Sequence, residues 1–571
     1  MRKSGGQKLL FASLCLCLII TVAACSSGDN SAKESDSAIS SESKASNAEG
    51  TAQASAPSNA DADSKYDPPV EITAVRGING NYKFNEGESY DNNVWTQAYE
   101  QELGIKLKYK WYVDNTQYEQ KIGLDIASND LPDLFSVNSK DFNNLAENGM
   151  IADLTEAYNQ YASPLLRSVL ESDLKSFEAL HYNGKLMAIG QPGNLGEQVN
   201  VIWIRKDWLD NVGLSAPKTM DDVLQIADAF TTKDPDRNGK NDTFGLALTN
   251  QLFGGGFADL AGFAYGYHAY PNIWIKDGSG KIVYGNVQPE MKTVLEKLQN
   301  MYKQGLIDPE FGVKDGGKLA EMTTAGKIGM EYGAFWNPGW PLGDSKKADP
   351  KAEWMPYTIV SVDGNPAVGA ATVGISGFIV ANNKFSNPEA LIKLANFTLE
   401  KGYGKSAETE FSKFMMSEDG KQLFDLAFMT MAPTSKNIDI MHKVSEAVAK
   451  KDGAGLRGEE KSTFESAMRW LEHKDPANWV HYNVFGSGDQ SAMALIEGYS
   501  KNNQIKVNEF YGSPTPTMVD KQATLAKLES EVFTKIIMGG SLNEFDDFVN
   551  QWHKLGGDEM TNEVNELSQR N

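Results

Sequence analysis

Five residues in the first half of the chain form an acidic loop whose composition suggests metal binding. In the order of EF-hand positions one, three, five, seven and nine, they are Asp234, Asp236, Asn238, Lys240 and Asp242. Alternate side chains of a tightly turned loop converge on one point, and Ca²⁺ takes about six to eight oxygens, with the position-seven carbonyl among them. Gly239 provides the turn at position six, but Gly245 stands where the position-twelve Glu is expected. The spacing predicts a structural calcium site, with a metal-free Asx turn as the alternative.

Aromatic residues beside amides and carboxylates form a second chemical pattern. Residues 331–337 read Glu-Tyr-Gly-Ala-Phe-Trp-Asn, and a further Trp follows at 340. Sugar rings stack their C–H faces on aromatic rings, while their hydroxyls need planar polar partners, so such a segment suits a sugar site. The aromatic candidates for ligand contact are Trp336, Tyr332, Trp340, Trp95, Trp274 and Trp479. Core packing is the alternative for each of them, because most large aromatic side chains are buried for structural reasons.

Polar residues at the ends of predicted strands are the remaining candidates. Asn79 follows a strand near Val70–Val75, Asn138 and Asp141 follow a short strand near Phe135, and Arg205 follows an apolar run. Ligands of open α/β sheets bind beyond the carboxyl ends of the strands. A guanidinium there can grip two sugar hydroxyls or a uronate carboxylate. Arg205 can equally form an ion pair with Asp207.

Strands alternate with amphipathic helices along the chain. This alternation determines where the candidate residues lie in the fold. A strand near 70–75 precedes a helix near 92–103, and a strand near 105–111 precedes a helix near 118–127. Further helices are predicted at 220–230, 291–302 and 386–400. Helix following strand at crossover spacing predicts an α/β fold with a parallel sheet and helices on both faces.

Motifs for enzymatic catalysis are absent from the sequence. The six His are scattered, and there is no His-Glu-x-x-His, no Gly-x-Ser-x-Gly and no Cys pair for zinc. Residues 312–319 nearly spell a phosphate-binding loop but end in Leu319, where Mg²⁺ needs a Ser or Thr. A carboxylate pair for glycoside hydrolysis remains open among 76 acidic residues.

Composition limits the possible partners. The 571 residues carry a formal charge of −22, which argues against a protein that coats nucleic acid or anionic lipid. Apolar residues make up 41% of the chain, enough for a large core. Three Cys cannot form a disulfide framework.

The first residues have the features of an export signal. Three positive residues precede an apolar run from Leu9 to Ala24, which is shorter than the ~20 residues of a spanning helix. Cys25 follows the small residues Ala23 and Ala24, a pattern that resembles the lipobox of bacterial lipoproteins. We therefore predict a lipoprotein signal peptide over 1–24, lipidation at Cys25, and a disordered tether over 25–66 that is too polar to build a core. An ordinary signal peptide with a chance Cys is the alternative.

Several motifs in the body resemble one family. They are Asp130-Leu-Pro-Asp-Leu134, Asn183-Gly-Lys185, Val201-Ile-Trp-Ile-Arg-Lys-Asp-Trp-Leu209, Gly213-Leu214, Pro217-Lys-Thr-Met220, Asp234-Pro-Asp-Arg-Asn-Gly-Lys-Asn-Asp-Thr243, Gly326-Lys-Ile-Gly-Met330, Ser513-Pro-Thr-Pro-Thr-Met518 and Gly556-Gly-Asp-Glu-Met-Thr-Asn-Glu-Val-Asn565. Their order, together with the lipobox, resembles the extracellular solute-binding proteins of bacterial sugar importers, in particular the large lipoproteins of Bacillus and Paenibacillus type. The resemblance covers the chain from about Pro68 to the C-terminus.

The resemblance implies a two-lobed, periplasmic-binding-protein-like (type II) α/β fold with a hinge and a ligand cleft between the lobes. We expect residues 67–190 and 375–440 in lobe 1, and 195–370 and 450–571 in lobe 2. Trp336 falls where maltose-binding relatives deliver a Trp into the cleft, and Asn138 and Asp141 fall where they place polar sugar contacts. In alginate-binding relatives an acidic residue follows the position-nine Asp and completes the calcium shell; here that residue is Thr243.

The function implied by the resemblance is capture rather than catalysis. We expect a monomeric lipoprotein on the outer face of the membrane of a Gram-positive-type bacterium, held there by its lipid anchor alone. It would deliver an oligosaccharide to ABC permease subunits served by a cytoplasmic ATPase, with no role for nucleic acid. Two alternatives stay open: a surface-anchored polysaccharide-degrading enzyme, and an importer receptor for peptides.

Overall fold

A computed structural model describes residues 64–78, 82–417, 421–512 and 514–568. All of them belong to one compact unit. The predicted signal peptide, Cys25, the predicted tether up to residue 63 and Asn79 lie outside the described residues. Within these ranges, no helix is long and apolar enough to cross a membrane.

The secondary structure consists mainly of helices with several small sheets. The strands are β1 (Val70–Ile78), β2 (Ile105–Asp114), β3 (Leu134–Val137), β4 (His181–Tyr182), β5 (Lys185–Leu186), β6 (Ile189–Pro192), β7 (Val201–Arg205), β8 (Trp274–Lys276), β9 (Ile282–Tyr284), β10 (Met330–Gly333), β11 (Trp354–Tyr357), β12 (Gly369–Ala371), β13 (Ile375–Ala381) and β14 (Ile505–Val507). The α-helices are α1 (Val94–Ala98), α2 (Asn115–Ser128), α3 (Ser139–Glu147), α4 (Thr155–Tyr161), α5 (Pro164–Leu170), α6 (Leu174–Ala179), α7 (Lys206–Val212), α8 (Met220–Thr232), α9 (Ala261–Tyr265), α10 (Pro289–Lys303), α11 (Gly316–Thr324), α12 (Leu342–Ala348), α13 (Glu389–Tyr403), α14 (Ala407–Phe414), α15 (Lys436–Lys450), α16 (Gly458–His473), α17 (Trp479–His481), α18 (Ala492–Lys501), α19 (Pro516–Ile537), α20 (Asn543–Trp552) and α21 (Asp558–Ser568).

The largest sheet has five strands in the order β2-β1-β3-β13-β6. β1 runs parallel to β2 and β3, as predicted from the strand–helix alternation. β13 runs antiparallel to both of its neighbours. The sheet is therefore mixed rather than fully parallel, with the carboxyl ends of β1, β3 and β6 at one edge.

A second sheet has three strands in the order β10-β7-β11, and both neighbours run antiparallel to β7. The expectation of a parallel sheet is wrong for this part of the chain. β7 is buried along its whole length, since it is the central strand with helices packed on the sheet. A buried central strand reads as a continuous apolar run whichever way its neighbours point.

The hydrophobic residues form two large cores. One core takes residues from Ile72–Ile189 and again from Phe378–Met431, and we call this part lobe 1. The other takes residues from Val199–Ala370 and again from Met441–Val564, and we call it lobe 2. The chain passes between the cores three times, so both lobes are discontinuous in sequence, and the predicted two-lobed α/β fold is confirmed.

Amide side chains link the three crossing segments. Gln191 Nε2 donates to the carbonyl of Ala432 at 3.0 Å, and Gln191 Oε1 accepts the Ala432 N–H at 2.7 Å. Gln198 makes the same two-way contact with the backbone of Thr372, at 2.9 and 3.0 Å. Each amide thus satisfies one donor and one acceptor of an irregular neighbouring segment.

Candidate functional site

Two tryptophans in the turn after β10 form the most exposed aromatic surface of lobe 2. Trp336 is 43% exposed and Trp340 is 42% exposed, whereas every other Trp of the chain is buried or half-buried. β10 itself is fully buried, so it anchors the turn in the core. We call Trp336 and Trp340 the tryptophan platform. Large exposed aromatic surface is informative, because folding normally removes it from water.

The platform is held by the loop that precedes α9. The ring of Phe257 packs edge-on against Trp340, with ring centroids 5.3 Å apart. Gly256 has a φ of +67°, and a Cβ added there would lie 2.8 Å from the Trp336 ring. A glycine is therefore needed where this loop passes under the ring.

The residues flanking the platform point inward. Tyr332 is 1% exposed, and its hydroxyl lies 3.8 Å from the sulfur of Met220. Tyr332 is a core residue rather than the predicted ligand contact, because successive side chains of a strand alternate and this one faces the core. Asn337 is fully buried, and its amide finds no hydrogen-bond partner among the described residues. Buried polar groups without a partner are rare in folded proteins, so the Asn337 amide is an unusual feature next to the platform.

A second aromatic cluster lies near the carboxyl end of β1 in lobe 1, and sequence reasoning missed it. Its rings are Tyr82, Phe84, Tyr90 and Tyr112, with centroid separations of 5.1, 4.8 and 5.3 Å along the series. Tyr112 is 43% exposed. The close spacing of aromatics in residues 82–90 was a usable signal, but the addition of Tyr112 depends on the pairing of β1 with β2.

Asn138 and Asp141 lie together at the start of α3. Asn138 is the N-cap: its Oδ1 accepts the Asp141 N–H at 2.9 Å, and its Nδ2 donates to Glu119 at 2.6 Å. The same Nδ2 lies 3.2 Å from Asp141 Oδ2. Both residues are at the predicted strand end, yet their polar atoms are already used by the helix terminus.

Arg205 is not available to a ligand in this structure. Its side chain is 3% exposed, and its guanidinium binds Asp207 at 2.6 Å and Asp349 at 3.3 Å. It also lies over the ring of Trp208, 4.8 Å from the centroid. Of the two interpretations of Arg205, a ligand contact or an ion pair with Asp207, the structure shows the ion pair. A buried guanidinium requires paired carboxylates.

Three further tryptophans predicted as contacts are buried. Trp95 is fully buried, and its indole N–H donates to the carbonyls of Phe414 and Leu423 at 3.0 and 2.9 Å. Trp479 is 2% exposed within the core of lobe 2. Trp479 is a core residue rather than the predicted ligand contact, whereas Trp95 packs in the core of lobe 1 and also lines a cavity of about 370 Å³ beside Gln191 and Thr434. Trp274 is 6% exposed, but it lines a separate cavity in lobe 2.

The acidic loop adopts the turn that its spacing predicts. Asp234 accepts the backbone N–H groups of Asn238 and Gly239, both at 3.0 Å. Asn238 Nδ2 bridges Asp236 at 2.7 Å and Asp242 at 3.2 Å. Burial raises the pKa of Asp236, and the hydrogen bond and negative charge of Asp234 add to this effect. Carboxylates that crowd together in this way gain from a cation.

Two observations weaken the loop as a metal site. Lys327 pairs with Asp242 and, as the main cause, lowers the pKa of that carboxyl. Thr243 is 3% exposed and donates to the carbonyl of Phe230 at 2.7 Å, so it faces the core rather than completing a shell as predicted. Across the described ranges, no group of three or more His, Cys, Asp or Glu side chains is arranged to hold a metal ion.

The family model for bacterial extracellular solute-binding proteins matches residues 83–405. That is more than half of the chain. The chain belongs to this family. Its members bind solutes outside the cell, which agrees with an exposed aromatic surface on a two-lobed body.

Curated relatives support the assignment to this solute-binding family. Lipoprotein LipO of Bacillus subtilis is 24% identical over 486 residues, which are 84% of this chain and 89% of LipO. The polygalacturonan/rhamnogalacturonan-binding protein YtcQ of the same species is 30% identical over 231 residues, covering 40% of this chain and 44% of YtcQ. The fructooligosaccharide transporter substrate-binding protein FusA of Streptococcus pneumoniae is 28% identical over 267 residues, covering 44% and 48%.

Solved structures share the fold. FusA in complex with kestose superposes with a TM-score of 0.57 at 16% identity, over 88% of this chain and 99% of FusA. A solute-binding protein of Bifidobacterium longum infantis that binds human milk oligosaccharides superposes with a TM-score of 0.59 at 14% identity, over 88% and 98%. These solute-binding proteins confirm the two-lobed architecture.

Proposed function

We propose that this solute-binding protein captures an oligosaccharide between its lobes and delivers it to an ABC permease. The observation that carries the proposal is the tryptophan platform: two exposed indoles beside a buried unpaired amide, at the end of a buried strand. Indole faces suit the C–H faces of sugar rings. The names of FusA, a fructooligosaccharide transporter protein, and of YtcQ, a polygalacturonan/rhamnogalacturonan-binding protein, support a carbohydrate as the ligand.

A binding role accounts for the platform better than an enzymatic one. The platform brings aromatic and amide groups together, whereas general acid–base catalysis needs two ionisable groups across the reacting bond. A peptide receptor needs charged groups for the ligand termini, and Arg205, the cation predicted at this sheet, is sequestered by two carboxylates. A neutral ring stacked on indole requires neither arrangement.

A thermal-shift screen tests the proposed ligand class. The probes are graded fragments of inulin and of polygalacturonan, with a peptide mixture as the control. A ligand present at about 100 times its Kd stabilises the folded state by about 2.7 kcal/mol, which is a shift of a few degrees for a protein of this size. A shift with peptides and none with either fragment set would contradict the proposal.

We extend the proposal to location: the protein is tethered outside the cell by a lipid on Cys25. The lipobox-like pattern before Cys25 and the lipoprotein name of LipO support this. Cys25→Ala should release the protein into the medium or leave the signal uncut, and Cys15→Ala is the matched control. A Cys25→Ala protein that stays membrane-bound at normal mass would contradict the lipid anchor.

We also propose a structural Ca²⁺ in the acidic loop. Asp234, Asp236, Asn238 and Asp242 would hold it with the Lys240 carbonyl, and the crowded carboxylates support this. Bound metal would close the loop that follows α8 and contribute stability without touching the ligand. Added Ca²⁺ should raise the melting temperature by a few degrees, and the double variant Asp236→Asn, Asp242→Asn should abolish that response. A wild-type melting temperature that changes with neither added Ca²⁺ nor chelator would contradict the site.

A further inference from the structure

A separate cavity of about 310 Å³ lies in lobe 2, between the β8–β9 hairpin and α19. Its walls combine aromatic rings, a carboxyl group and rim amides. The residues that matter here are Trp274, Tyr284, Trp552, Glu529, Asn272 and Gln522. Neither tryptophan of the platform lines it, so it is a distinct feature of the lobe.

The aromatic wall of this cavity is rigid. Trp274 and Tyr284 are directly paired across the β8–β9 hairpin, so their side chains lie on the same face. Their ring centroids are 5.3 Å apart. The Tyr284 ring in turn stacks on Trp552 at 5.6 Å, with an interplanar angle of 8°. The backbone N–H of Trp274 donates to Asn508 at 3.0 Å, which fixes the hairpin to the segment after β14.

Glu529 supplies a carboxyl group that the fold itself does not neutralise. It is 9% exposed and forms no ion pair within the described part of the chain. Its Oε1 accepts the amide N–H of Asn286 at 2.5 Å. Burial raises the pKa of Glu529 to about 7, with the Asn286 hydrogen bond opposing the shift. The Oε2 atom accepts no hydrogen bond from the described residues and is not fully enclosed, so it is available to a ligand in the cavity.

One glycine loop connects the cavity to the tryptophan platform. A Cβ on Gly256 would lie 2.8 Å from the Trp336 ring, and a Cβ on Gly254 would lie 3.8 Å from Asn272 Nδ2 at the cavity rim. Two residues of chain span at most about 7 Å. Trp336 of the platform and Asn272 of the cavity lining therefore both lie against this one short glycine segment of lobe 2.

We propose that this cavity is a further sugar subsite: an oligosaccharide stacked on Trp336 and Trp340 places another ring against Trp274, with a hydroxyl donating to Glu529. The inference rests on the proposed oligosaccharide function and specifies how far the ligand extends. Aromatic faces next to a carboxyl and two amides match what a sugar ring requires. The subsite also gives Glu529 Oε2 the hydrogen bond that the fold leaves unmade.

Blocking the cavity from α19 tests the subsite. Ala526 is exposed and lines the cavity, whereas Ala523, one turn earlier, is exposed and does not. Ala526→Trp should lower the affinity for the tightest-binding inulin or polygalacturonan fragment by about tenfold or more, as measured by calorimetry. Ala523→Trp, the matched control, should change it less than about twofold. Both variants should keep the melting temperature of the free protein, because neither side chain enters the core.

Glu529→Gln tests the hydrogen bond without changing the shape of the side chain. The Gln carbonyl still accepts from Asn286, so the fold should persist, while the affinity should fall about tenfold because the amide nitrogen that replaces Oε2 cannot accept the hydrogen bond of the sugar hydroxyl. Unchanged affinity in either Ala526→Trp or Glu529→Gln overturns the subsite. If those variants bind normally and Trp336→Ala does not, the proposed function survives. If wild-type protein binds no fragment of either polysaccharide, the function and the subsite both fall.

Discussion

Two segments of this protein follow the carboxyl end of a buried strand, and they use that position differently. The turn after β10 leaves Trp336 and Trp340 each more than 40% exposed. α3 begins directly after β3, and the polar atoms of Asn138 and Asp141 form hydrogen bonds at the N-terminus of that helix. A short polar side chain at the end of a strand readily accepts backbone N–H groups and caps the helix that follows. An indole face cannot accept these hydrogen bonds. Position at a strand end therefore marks a binding residue only when local structure leaves its side chain free.

The same comparison separates Trp336 from Trp95. Both follow a strand of their lobe, but the indole N–H of Trp95 is bound by two backbone carbonyls and its ring packs against Phe414 at 5.0 Å. The Trp336 ring lies against Gly256 and is 43% exposed. Substitutions at these two positions should therefore have opposite consequences for folding and for binding.

Trp95→Ala should produce the largest effect, a loss of about 3–5 kcal/mol in the free energy of unfolding of lobe 1, because it leaves a cavity and two unpaired carbonyls. Urea denaturation followed by circular dichroism measures it. Variant protein that remains folded should bind sugar normally. Weakened binding with unchanged stability would place Trp95 in the ligand site and remove the contrast.

Trp336→Ala should weaken binding by about 2 kcal/mol or more, which is about 30-fold in Kd, because it removes a contact made only in the complex. Calorimetry with the best fragment from the screen measures the affinity, and the melting temperature of the free protein is the control. A large loss of melting temperature with preserved affinity would show that Trp336 is a packing residue.

Much of this organisation follows from local sequence patterns. The strand near 70–75 and the helices near 220–230 and 291–302 were predicted close to their observed bounds, because hydrophobic periodicity is local. The direction of β10 and β11 and the pairing of Arg205 with Asp349 could not be predicted, since each depends on residues more than 100 positions away. The full Tyr82–Tyr112 cluster depends on the pairing of β1 with β2 about 30 positions along the chain, whereas the residues of the tryptophan platform are nearly adjacent in sequence.

Asn138→Ala should cost about 1 kcal/mol of lobe 1 stability, the usual value for a lost N-cap. Asn138→Ser, whose hydroxyl can accept the Asp141 N–H without placing a negative charge beside Glu119 and Asp141, is the matched control and should recover most of that loss. Urea denaturation measures both. If Asn138→Ala instead lowers sugar affinity at unchanged stability, the cap is incidental and the strand end after β3 is part of the ligand site.

Asp141→Asn should have the smallest effect. Asp141 lies in the first turn of α3, where a negative charge stabilises the positive end of the helix dipole. Removing the charge while keeping the shape should cost about 0.5 kcal/mol at low ionic strength and almost nothing in 1 M salt, since the Debye length there is only about 3 Å. A salt-dependent loss of stability with constant sugar affinity identifies Asp141 as a helix-end charge. A salt-independent loss of affinity would instead make it a ligand contact, and the two strand ends would then be alike in function.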